Sequence, residues 1–150
     1  MRVREMLDES VIKVELESGD KNKCFEEMID LLVRANRISD RAAALAAVRQ
    51  RESAGSTGIG KGCAVPHGKH ASIKGVTMAL GTSSKGIEFD SVDGAPVHAV
   101  FLILAGVKEP GPHVRALAEV ARLMSTPNFY KRLVEAPSAR AVLDVFYAEK

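Results

Sequence analysis

Gly55-Ser-Thr-Gly-Ile-Gly-Lys-Gly-Cys-Ala-Val-Pro-His-Gly68 is the stretch on which the reading of this chain turns, because it closes a glycine-rich run with a histidine set behind a proline. Pro66 fixes its own φ and pushes Val65 towards extended geometry, so the backbone reaches His67 on a stiff path. An imidazole with an ordinary pKa near ~6.5 keeps a lone pair at physiological pH and can act as a nucleophile. Gly58, Gly60 and Gly62 admit backbone conformations closed to other residues. Successive N–H groups in such a loop can form a concave anion site that a phosphoryl group would fit.

Other readings of the same residues are weaker. Gly55, Gly60 and Lys61 match the phosphate-loop pattern G-x-x-x-x-G-K, but Gly62 stands where a Ser or Thr would ligate magnesium. The context differs as well, since a phosphate loop joins a strand to a helix, whereas this loop follows a helix and leads into Cys63-Ala64-Val65. His67 and His70 have metal-like spacing without an evident third ligand, so neither a metal nor a cofactor is assigned. A lone loop histidine is often a plain surface residue, and a helix-end arginine is often merely solvated. The run around His67 argues against that bland reading for the histidine.

Upstream of this stretch, residues 11–16 read as a strand. Residues 20–36 read as a helix with Phe25, Met28, Ile29 and Leu32 on one face. Ser39 or Asp40 can cap a second, alanine-rich helix that runs to about Glu52 and stops near Gly55, which puts Arg51 and Glu52 at its end. Downstream, residues 76–80 and 97–104 are strands, the second apolar enough to be central. Residues 83–96 read as a loop with one short strand near Ile87. A third long helix is expected from Pro112, burying Val114, Leu117, Val120, Ala121 and Met124. His113 then falls in its first turn, where free N–H groups and the helix dipole favour a neutral imidazole and attract phosphate. Thr126 with Pro127, and Ser138, are expected to cap two shorter helices. Strands alternating with amphipathic helices make this an α/β domain.

Composition agrees. With 46% hydrophobic residues among 150, the chain can fill one ordinary core, and two domains would be cramped. Its 21 basic and 19 acidic residues nearly cancel and no Lys/Arg block stands out, so no nucleic-acid partner is expected. The opening MRVREMLDES has no apolar signal core and no later run could span a bilayer, so the expected location is cytoplasmic, without membrane insertion. Cys24 and Cys63 are too few for a disulfide framework.

Arg51-Glu52, the Gly-Ser-Thr-Gly-Ile-Gly run from Gly55 to Gly60, and Ala64-Val65-Pro66-His67-Gly68 resemble the signature of fructose/mannitol-type enzyme IIA domains of the bacterial phosphotransferase system. The nitrogen-regulatory IIA proteins share it, and the similarity extends over nearly the whole chain. The resemblance implies one IIA domain over residues 1–150, with a central mixed β-sheet flanked by helices. It implies that His67 accepts a phosphoryl group from an HPr-type phosphocarrier protein. Arg51 maps onto the family's active-site arginine and His113 onto its second histidine.

Phosphoryl transfer is mainly positioning and charge stabilisation, and the planar fork of an arginine can bind two oxygens at once. Thr57 and the backbone at Gly58, Gly60 and Gly68 are further candidates for those oxygens. Glu52 could orient a ring or pair with a basic neighbour, although a helix-end carboxylate is usually only solvated. A free-standing chain of this length fits the nitrogen-regulatory branch, whose partners are regulatory target proteins. The alternatives are a sugar-specific IIA that donates to a IIB domain, or a regulatory module that binds without phosphate. Two positions depart from the family pattern: Cys63 replaces a branched aliphatic residue, and His98 stands where relatives carry an acid.

Overall fold

The computed structural model describes residues 2–108 and 110–149. In chain order the elements are α1 (Val3–Met6), a 3-10 turn (Glu9–Val11), β1 (Ile12–Lys13), α2 (Lys21–Arg34), α3 (Arg41–Ser53), β2 (Gly58–Gly60), β3 (Cys63–Ala64) and β4 (His67–Lys69). There follow β5 (Val76–Ile87), β6 (Val97–Ala105), α4 (Pro110–Met124), α5 (Phe129–Glu135) and α6 (Ala139–Ala148). Six strands form one mixed sheet in the order β1-β5-β6-β3-β2, with β4 also on β6. Among the described residues β5–β6 and β2–β3 run antiparallel and the other strand pairs parallel. The apolar run of β6 is fully buried from Ala99 to Ala105, as a central strand covered on both faces must be.

Local chemistry sets the helices. Asp20 and Asp40 accept from the N–H groups of Lys23 and Ala43, and Ser138 accepts from Ala141, so three helix starts are side-chain capped. α2 buries Cys24, Phe25, Met28, Ile29 and Leu32 as its periodicity predicts. α2 and α3 cover one sheet face, where a side chain at Gly81 would strike Leu16 and Met28 and one at Gly68 would strike α3. The opposite face carries Phe101, which meets Phe146 of α6 edge-on at 6.4 Å, while Phe129 of α5 meets Phe146 at 5.1 Å.

The structure corrects several expectations. β1 is only two residues long, because Val11 closes the 3-10 turn and Glu15 takes a left-handed φ of 61°. Residues 83–86, expected as loop, continue β5. Pairing with β6 shifts register between Thr82 and Ile87, and side chains hold this irregular part: Glu15 accepts from the Ser84 N–H and hydroxyl, and Lys85 donates to the Glu17 carbonyl. His98, which the sequence left without a role, donates from Nδ1 to the Ser83 carbonyl at 2.8 Å and pins the same bulge. α4 starts at Pro110, not Pro112, and from residue 113 onward it buries His113, Ala116, Val120 and Leu123, while Val114 is 61% exposed. α5 is preceded by Asn128 in the left-handed region with no side-chain cap, and the Thr126 hydroxyl instead donates to the Arg122 carbonyl at the end of α4.

Candidate functional site

The stretch that opened the reading is a hairpin followed by an interrupted edge strand. Gly60, Lys61 and Gly62 have φ values of 89°, 56° and 81°, and this left-handed run turns β2 back on β3. β3 and β4 then lie end to end on the same side of β6 in the same register, Ala64 opposite Val100 and His67 opposite Ile103. Pro66 interrupts them because it cannot donate to the ladder, yet its carbonyl still accepts from Ile103 N–H at 3.0 Å. Val65 turns its N–H to the Thr57 carbonyl, and its own carbonyl lies 2.8 Å from His67 Nδ1. A carbonyl can only accept, so Nδ1 carries the proton and Nε2 keeps the lone pair.

Alternation along β4 sends His67 and Gly68 to opposite faces. A Cβ on Gly68 would lie 2.9 Å from Ala47 C and Val48 N, so α3 packs its backbone directly on this glycine. That approach delivers Arg51 to the strand edge, where its Nη1 donates to the Gly55 carbonyl at 2.9 Å. From the other side α4 brings His113, only 6% exposed, with its ring centroid 5.0 Å from that of His67 and the planes tilted by 51°. Its Nε2 is buried without a hydrogen-bond partner among the described residues. Gln50, Arg51, His67, Gly68, Lys69 and His113 thus share one open cleft of about 290 Å³.

Both rings are held neutral. Desolvation lowers the pKa of His67, the Val65 hydrogen bond opposes this, and the Arg51 cation lowers it further. Burial first, then the repulsion that a second proton on the His67–His113 pair and the Lys69 cation would create, pushes His113 down to about 4. A nucleophilic nitrogen beside an arginine and a neutral imidazole suits capture of a phosphoryl group.

Thr57, Gly58 and Gly60 do not reach this cleft. Thr57 is 3% exposed, and both its N–H and its hydroxyl donate to Glu52, at 3.0 and 2.7 Å. Gly58 backs onto Ser91, and Gly60 serves the hairpin turn. Glu52, offered by the sequence as a residue that orients a ring or pairs with a basic neighbour, is only 7% exposed and organises the loop, with Lys21 Nζ at 3.5 Å as its cationic partner. Of the four residues assigned to phosphate oxygens, Gly68 alone lines the cleft, and its part there is the close approach of α3. Lys69 escaped the sequence reading. The period-2 rule would have placed it on the face of His67 had residues 67–69 been taken as a strand. His70 sits apart, its Nδ1 bonded to Ser72, and among the described residues no group of three or more His, Cys, Asp or Glu could hold a metal ion.

Residues 5–149 match the family described as Phosphoenolpyruvate-dependent sugar phosphotransferase system, EIIA 2. The chain is 38% identical over 145 residues to the PTS system fructose-specific EIIABC component of Bacillus subtilis (strain 168), covering 97% of this chain and 23% of that protein. It therefore spans about a quarter of that relative's length. It is 34% identical over 135 residues to the PTS system fructose-specific EIIA component of Haloferax volcanii, covering 90% of this chain and 88% of the relative. The crystal structure of Nitrogen Regulatory Protein IIA-Ntr from Neisseria meningitidis superposes with a TM-score of 0.87 at 34% identity, over 95% of this chain and 97% of that one. With a family match over nearly its whole length and the fold of a IIA protein, the chain belongs to the type-2 EIIA family of the phosphoenolpyruvate-dependent sugar phosphotransferase system, a family of phosphoryl carriers.

Proposed function

We propose that this chain carries phosphate on His67 Nε2, receiving it from the phosphohistidine of an HPr-type phosphocarrier protein. The observation behind this reading is the Nδ1–H donated to the Val65 carbonyl, which leaves Nε2 as the nucleophile. In the transfer, the Nε2 lone pair forms a new N–P bond as the donor's N–P bond breaks, and the donor imidazole recovers its own lone pair. Nδ1 keeps its proton throughout. Arg51 stabilises the charge that develops on the peripheral oxygens, and His113, buried and neutral, flanks the acceptor ring without taking phosphate itself.

The carrier works in the nitrogen-regulatory branch, where about two added negative charges on His67 switch which target proteins bind. The likeness to IIA-Ntr supports this. A second reading, donation to a IIB domain of a sugar branch, is favoured by the 38% identity to a fructose-specific protein. Phosphoenolpyruvate at the head of either chain of transfers places the protein in the cytoplasm. Among the described residues no helix is long and apolar enough to cross a membrane. The same reading takes residues 1–150 as one EIIA domain.

The test is to incubate the protein with phosphoenolpyruvate, enzyme I and an HPr-type donor, then read intact mass and acid lability. One acid-labile phosphoryl group is expected on the wild type and none on His67→Ala. An equal label on His67→Ala would remove His67 from the reaction.

A further inference from the structure

Among the described residues, the cleft around His67 is lined by two cations and no carboxylate: Arg51 reaches it from α3, and Lys69 from β4 itself. Lys69 lies two residues beyond His67, so both side chains leave the same face of the strand, about 7 Å apart at the backbone. It is exposed, and among the described residues its ammonium forms no ion pair, whereas Lys13 and Lys21 are each matched by carboxylates. Its charge already bears on both rings, lowering the pKa of His67 and of His113.

A phosphoryl group on a histidine near neutral pH carries about two negative charges. Arg51 can fork two of its oxygens but supplies one positive charge, and His113 is buried as a neutral ring, so one negative charge stays unmatched. We infer that Lys69 is the second cationic ligand of the phosphoryl group on His67, reaching it from the strand while Arg51 holds it from the helix. The inference rests on the reading of His67 as acceptor. It makes Lys69 a phosphoryl-binding residue that draws phosphate towards this protein from its donor and lets His113 stay unprotonated in the phosphorylated state.

Lys69→Gln and Lys69→Arg, compared with wild type, test it. The three proteins are equilibrated with phosphorylated HPr-type donor, and the phosphorylated fraction of each is read by intact mass. Phosphorus NMR then follows the second ionisation of the bound phosphoryl group with pH. Lys69→Gln should shift the transfer equilibrium towards the donor by about tenfold, the size of one cation–anion contact at a partly exposed site. It should also raise the phosphoryl pKa, while Lys69→Arg restores both. A merely structural role for Lys69 would leave that pKa unmoved. Normal labelling of the wild type with an unchanged equilibrium and an unchanged phosphoryl pKa in Lys69→Gln overturns the inference alone. A wild type that takes no label overturns the acceptor reading, and this inference with it.

Discussion

Gly68→Ala should uncouple the two halves of the site. The added methyl would sit 2.9 Å from Ala47 C and Val48 N and 3.0 Å from Ala47 Cβ. Unstrained carbon contacts need ~3.5 Å or more, so α3 has to retreat by about half an ångström, and because its backbone is in the way, no rotamer change relieves the clash. Overpacking of this kind destabilises by about 1–3 kcal/mol. The retreating helix carries Arg51 in its last turn and Glu52 beside it, so the guanidinium moves with it. Misplacing a charge-stabilising group by a fraction of an ångström to one ångström lowers transfer by up to ~100-fold. Urea unfolding reports the first effect, and single-turnover transfer from phosphorylated donor reports the second. Gly19→Ala is the control, since a methyl there meets nothing within 4 Å. A Gly68→Ala protein as stable and as fast as the Gly19→Ala control would refute the argument that this glycine exists to seat α3.

The remaining predictions concern single side chains. Arg51→Lys should slow transfer by about 10- to 100-fold in a rapid-quench assay while leaving the unfolding midpoint unchanged, because a lysine cannot fork two oxygens. An unaltered rate would dismiss Arg51 from the chemistry. Glu52→Ala removes the acceptor of the buried Thr57 N–H and hydroxyl, and urea unfolding should show a loss of about 2–4 kcal/mol, far beyond a solvated helix-end residue. A loss below about half a kcal/mol would mean that the loop does not depend on it. His113 falls from its ordinary 6.5 to about 4 in the folded protein, where it faces His67 and Lys69. The unfolded chain therefore binds the extra proton, so stability is full above pH 6.5 and declines as pH falls towards about 4. His113→Gln should flatten that part of the urea-midpoint profile, leaving the slope due to His67; an unflattened profile would contradict the shift.

A separate acid step belongs to Glu27. Burial alone would raise its carboxyl, but the Glu17 N–H, Lys13 and Ser18 hold it down at about 2. Its contribution is thus complete above its ordinary 4.5 and is lost as pH falls towards about 2.

Much of the scaffold was legible because its signals are local. Asp20, Asp40 and Ser138 cap helices by bonding N–H groups three residues on, and the Phe25-Met28-Ile29-Leu32 face of α2 is set by helical pitch. Pro66 stiffens the approach to His67 through its own ring. The misreadings arose where composition and position disagree. Ser83 to Gly86 look like loop residues, yet Glu15 and His98 supply the partners that keep them in β5. On α4 hydropathy favours the face with Val114 over the one with His113, and the sheet beneath overrode it by burying the histidine and exposing the valine.

By itself, the sequence determined an α/β domain with a stiffly presented histidine and an arginine at a helix end. Proline geometry, helix capping and hydrophobic period act between near neighbours and need no partner from elsewhere in the chain. Only the tertiary structure decided which residues meet. The pairing of β4 with β6, the seat of α3 on Gly68 and the phase of α4 bring His67, Arg51, Lys69 and His113 into one cleft, while Thr57, Gly58 and Gly60 are spent on the hairpin and on Glu52. Such meetings depend on strand register and on burial against distant elements, and no local pattern encodes either.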